Sequence, residues 1–115
     1  MNKIAIVSAK RTPIGRFKGK LSNYSAVELG KKTLKAAIEA IKLDPNTIDQ
    51  VIYGNVLQSG SGQNPARQIS INAGVPNTTP AMTINEVCGS GLKSIILGKQ
   101  AIQLGEAKVV AVGGV

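Results

Sequence analysis

The sequence predicts an α/β fold: a mostly parallel sheet with helices on both faces, in the order β-α-β-α-β-α-β. Short apolar runs alternate with stretches of helical periodicity, the arrangement that favours parallel pairing. The first run is apolar on both of its faces, as expected for a strand covered from two sides. The 115 residues are 43% hydrophobic and 17% charged, enough for one core and too apolar for disorder. That core must be aliphatic, because the only aromatic residues are Phe17, Tyr24 and Tyr53.

Each element has a local signal. Ile4–Ser8 is a compact β-branched run and reads as the first strand. Residues 9–24 form a long polar loop with Thr12-Pro13, Gly15 and Gly19, a length that suggests function. Ser25-Ala26-Val27-Glu28 is a capping box. Val27, Gly30, Leu34, Ala37, Ile38 and Ile41 then carry a helix to about residue 42. Asp44-Pro45 makes a turn, and Gln50–Leu57 reads as the second strand. After the flexible Ser59-Gly60-Ser61-Gly62, Asn64-Pro65 opens a second helix that Gly74 closes. Ala81–Asn85 is the third strand, Gly89–Leu104 the third helix and Val109–Val112 the fourth strand. The third helix is apolar almost all round, which predicts packing on more than one side. The fold therefore reads as incomplete, part of something larger.

Composition also excludes. One cysteine and no histidine rule out a disulfide framework and a Cys/His zinc site, so no metal is expected. No apolar run approaches the roughly 20 residues that span a bilayer. The start, Met1-Asn2-Lys3 before Ile4–Val7, is too short in apolar residues for a signal peptide, so a cytoplasmic protein without membrane contact is expected. The net charge of +8 lies entirely in residues 1–42, which carry ten Lys/Arg against Glu28 and Glu39. Residues 43–115 carry four of each sign. With no aromatic stacking platforms and no nucleic-acid motif, this charge reads as solvated surface and no nucleic acid is expected.

The chemistry concentrates in Asn85-Glu86-Val87-Cys88-Gly89-Ser90-Gly91-Leu92-Lys93-Ser94. A strand ends, Cys88 occupies the turn, and a helix begins directly after it. Free N–H groups at a helix start favour a thiolate and can hold an oxyanion. Gly89 and Gly91 clear side chains from the approach to the sulfur. By residue type alone, a lone cysteine also reads as an inert core side chain. A third reading is a phosphate-binding turn, since Gly89-x-Gly91-x-x-Ser94 approximates the dinucleotide pattern. These three readings stay open on the residues themselves.

Asn85-x-x-Cys88-Gly89-Ser90-Gly91-Leu92-Lys93 resembles the acyl-enzyme signature of the thiolases. Ile6–Gly15, Gly54–Gln58 and Gly62–Gln68 resemble, in order, that family's opening strand and loop, second strand and following helix. The resemblance covers the whole chain. It implies a thiolase-like N-terminal half, with residues 1–115 as part of the N-terminal domain and without the loop domain and C-terminal domain. It implies condensation of two acetyl-CoA to acetoacetyl-CoA and CoA, or the reverse thiolysis. Cys88 would be the nucleophile that forms the acyl thioester, its backbone N–H helping to form the oxyanion hole. Asn85, Gly89, Ser90 and Gly91 would support the turn. No cofactor is implied beyond coenzyme A thioesters as substrates, and the residues that bind coenzyme A are not assigned. Ala81–Val87 would lie at the interface of a homo-oligomer, with Gln63–Arg67 near it. The family's activating histidine and second cysteine have no counterpart here, so the chain alone is expected to be inactive in condensation. A non-catalytic oligomerising piece is the alternative.

Overall fold

The computed structural model describes residues 3–115; Met1 and Asn2, which open the amino-terminal reading, lie outside the described residues. Its elements are α1 (Ala26–Ala40), a 3₁₀ turn (Pro45–Thr47), β1 (Gln50–Gly54), α2 (Pro65–Asn72), β2 (Ala81–Ile84), α3 (Ser90–Gln103) and β3 (Val110–Gly114). The sheet is parallel, in the order β2-β1-β3. Val51 pairs with Ala81 on one side and with Ala111 on the other, so β1 is the central strand.

Local chemistry starts and stops these elements. Ser25 Oγ accepts from Glu28 N–H at 3.1 Å, and the Glu28 carboxylate accepts from Ser25 N–H at 2.7 Å, closing the capping box of α1. These bonds hold the exposed Glu28 carboxyl below its usual value. Asp44 accepts from Asn46 N–H to start the 3₁₀ turn. Asn64, itself left-handed at φ 48°, caps α2 by accepting from Arg67 N–H. Its side-chain amide also donates to Ala81 O at 3.0 Å, while its Oδ1 accepts from Thr83 Oγ1 at 2.6 Å, so the start of α2 is bolted to β2.

The core lies between the sheet and the α1/α2 pair. Leu34 and Ile38 of α1, Ala66 and Ile69 of α2, and Val51 and Tyr53 of β1 are all buried there. Gly30 permits the closeness of the two helices, since a Cβ at that position would run into the Ile69 side chain. α3 covers the opposite face with small residues. A Cβ on its Gly98 would lie 2.8 Å from a Val112 methyl, and one on Gly54 of β1 would lie 2.5 Å from Ser90.

Two expectations need correction. Ile4–Ser8 is not a strand of this sheet: among the described residues it has no ladder partner, and Ile6 and Val7 are 74% and 68% exposed. Its β-branched residues suit a strand, but a strand also needs a backbone edge within hydrogen-bond reach. The segment lies instead on the far side of an apolar cleft of about 330 Å³, whose walls include Ile38, Ile95, Ile102 and Val110. Ser8 Oγ ties it to α1 through Ala37 O at 2.8 Å. Among the described residues α3 packs on one side only, and its second apolar side meets no neighbour among them. Leu92 and Leu104 are 66% and 74% exposed, and its buried residues are Ser90, Ser94, Gly98 and Ala101. The second strand also stops at Gly54 rather than Leu57, which is exposed.

Candidate active site

β2 delivers the chain to the turn. Asn55 N–H donates to Ile84 O at 3.0 Å, the last bond between β1 and β2. Asn85–Gly89 then reverses direction and Ser90 begins α3. The Asn85 side chain bridges two segments: its Nδ2 donates to Val56 O at 3.3 Å and its Oδ1 accepts from Val87 N–H at 2.9 Å. Ser90 Oγ accepts from Glu86 N–H at 2.8 Å and donates to Val87 O at 2.6 Å. Backbone bonds from Gly89 N–H to Glu86 O and from Ser90 N–H to Val87 O, both 3.2 Å, complete the loop.

Between these clamps Val87 is left-handed, at φ 53°. For a β-branched residue that conformation is an outlier. Cys88 follows it and is exposed, which sets aside the inert core reading. Gly89 makes no side-chain capping hydrogen bond to α3, and a Cβ on it would lie 3.6 Å from the Glu86 carboxylate. Gly91 lies against Gly114, where a Cβ would be 3.0 Å from the Gly91 Cα, so two glycines let the helix start approach the end of β3. Glu86 and Lys93 form an exposed ion pair at 3.8 Å, of little energetic weight.

Asn85, Cys88, Gly89, Ser90 and Gly91 thus fall within one turn and the first helical residues that follow it. Sequence reasoning missed three contributors. Gly54, in a different motif, makes room for Ser90. Val56 supplies the carbonyl that anchors Asn85. Asn55 is buried, with its Nδ2 donating to Val115 O at 3.0 Å and its Oδ1 without a partner among the described residues. All three carried one signal, as parts of Gly54–Gln58, but nothing in that motif tied them to the cysteine turn. Gln63 and Arg67 sit apart from Cys88 in the chain's organisation, at the start of α2: Arg67 donates to Asn77 O and Thr79 O, fixing the loop before β2. Chemically, the site is a solvent-reached thiol in a braced turn at a helix start. The described residues place no histidine or second cysteine beside it, because the sequence contains neither.

Residues 4–115 match the model of the thiolase N-terminal domain. The chain belongs to the thiolase family. It is 54% identical over 114 residues to a probable acetyl-CoA acetyltransferase of Escherichia coli, covering 99% of this chain and 29% of that protein. It is 52% identical, with the same coverage, to an acetyl-CoA acetyltransferase of Cupriavidus necator. Among solved structures, a thiolase from Ascaris suum in complex with coenzyme A superposes with a TM-score of 0.91 at 48% identity, over 93% of this chain and 28% of that one. Human mitochondrial 3-ketoacyl-CoA thiolase superposes with a TM-score of 0.87 at 48% identity, over 90% and 27%. The chain thus spans about 29% of the length of the curated relatives it matches.

Proposed function

We propose that this chain provides the acyl-accepting nucleophile of an acetyl-CoA acetyltransferase. The observation that carries the reading is the exposed Cys88 in its braced strand–turn–helix setting, within a domain of the thiolase family. The Cys88 sulfur attacks the carbonyl carbon of acetyl-CoA. A new C–S bond forms, the C–S bond to coenzyme A breaks, and the proton of the cysteine thiol ends on the departing coenzyme A thiol. The Cys88 backbone N–H helps to hold the oxygen that becomes negative in between, since the N–H groups of Glu86, Val87, Gly89 and Ser90 are already bonded within the turn. In the second half-reaction the α-carbon of another acetyl-CoA attacks the thioester, giving acetoacetyl-CoA and returning Cys88. That step needs a base and an acid, which come from polypeptide outside residues 1–115, together with the loop and C-terminal domains. The enzyme uses coenzyme A thioesters with no further cofactor, works in the cytoplasm, and is a homo-oligomer. Its interface is Ala81–Val87, where β2 is an outer strand of the sheet and Met82 is 46% exposed.

Acetyl-CoA mixed with the purified chain is expected to place one acetyl group on Cys88, read by intact mass and peptide mapping, and none on Cys88→Ser. Equal acetylation of C88S overturns the reading. The chain alone should make no acetoacetyl-CoA; adding the remaining polypeptide of a thiolase relative should restore thiolysis. The phosphate-turn alternative has no comparable support, since the family match spans the turn it relies on.

A further inference from the structure

Val87 poses a physical question. A β-branched side chain at φ 53° is strained, and it persists only where the surroundings over-determine it. A glycine would hold the same conformation freely. Two side chains enforce it here. Asn85 Oδ1 accepts from Val87 N–H at 2.9 Å, and the Ser90 hydroxyl donates to the Val87 carbonyl at 2.6 Å. Ser90 does more, because the same oxygen accepts from Glu86 N–H at 2.8 Å, joining the residues on both sides of the Glu86–Val87 peptide to the helix start. Ser90 is 4% exposed, and its seat exists because Gly54 has no side chain: a Cβ there would lie 2.5, 2.6 and 2.7 Å from the Ser90 carbonyl carbon, Cβ and oxygen.

Cys88 is the next residue along the chain, so the φ and ψ of Val87 set where its Cα–Cβ bond points. We infer that Ser90, with Asn85 as its second arm, is a positioning residue that latches Val87 left-handed and thereby aims the Cys88 sulfur outward at the start of α3. The inference rests on the reading of Cys88 as nucleophile, and it concerns the aim of the sulfur rather than the acyl chemistry.

The test compares the wild-type chain with Ser90→Ala, Val87→Gly and the double variant S90A/V87G. The Val87 HN–Hα coupling and ¹³Cα shift report its φ, and the rate of Cys88 alkylation by iodoacetamide at pH 7 reports presentation of the sulfur. In S90A, Val87 is expected to leave the left-handed region and alkylation to slow three- to tenfold. Glycine at position 87 removes the need for the latch, so S90A/V87G should react within twofold of V87G. A left-handed Val87 in S90A, or an unchanged alkylation rate, overturns the inference. So does a loss that V87G does not rescue, which marks a purely structural serine. If S90A fails to fold, Asn85→Ala at its exposed position removes the other arm, and the same criteria decide. Acetylation of the wild-type chain by acetyl-CoA judges the nucleophile reading separately, since its failure leaves the alkylation ratios intact.

Discussion

On the α1/α2 face of the sheet, Leu34, Ile38 and Ile69 are exposed by 7% or less. On the other face, α3 buries Ser90, Ser94, Gly98 and Ala101 but leaves Leu92 and Leu104 mostly in solvent. Both helical layers are rich in aliphatic residues. They differ in what stands opposite: α1 has α2 and the sheet, while α3 has the sheet alone. Burial therefore follows from having a partner, and an apolar side chain without one stays exposed. Ile4–Ser8 teaches the same for backbone, since it pairs with no strand among the described residues.

The largest effect expected from breaking this asymmetry is at Ile69, which is fully buried. Ile69→Ala should cost about 3 kcal/mol in urea unfolding, from lost transfer energy and the cavity left behind. A similar cost for Leu92→Ser would show that α3 is covered in solution. Gly54→Ala comes next, at about 2–3 kcal/mol, because the added methyl meets backbone and Cβ atoms of Ser90 that cannot step aside. Gly30→Ala, whose methyl meets the far end of the Ile69 side chain, should cost less. This pair measures how firmly each helix is seated.

A smaller effect comes from acid. Asp49 accepts from Lys108 and Val109 N–H at 2.7 and 3.1 Å, and these bonds hold its carboxyl below the usual 3.8. Because the folded value is the lower one, the contribution is complete above pH 3.8 and is lost as pH falls through the folded value. Urea midpoints should therefore drop on acidification below pH 4, and Asp49→Asn should flatten part of that drop. The smallest change is expected for Leu92→Ser itself, within about 0.5 kcal/mol by the same unfolding assay.

Much of this was legible beforehand. The capping box at Ser25 and Glu28, the proline after Asn64 and the glycine after α2 are short-range signals, and each element they mark is present. The cysteine turn was legible because strand end, glycines and helix start are contiguous in the chain. The braces of that turn were not. Gly54 and Val56 lie more than thirty residues from Cys88 in the chain, and only folding brings β1 beside β2 and α3. Nor could periodicity reveal the left-handed Val87, since valine is among the residues least expected there.

By itself, then, the sequence determined the helices, their approximate ends, the order of the elements after Ile4–Ser8 and the turn that carries the sulfur, because those depend on neighbours a few bonds apart. Tertiary structure decided which apolar runs are buried, that Ile4–Ser8 stays out of the sheet, and how Cys88 is aimed. Those outcomes require surfaces and hydrogen-bond partners from distant parts of the chain, and no local pattern encodes whether a partner is there.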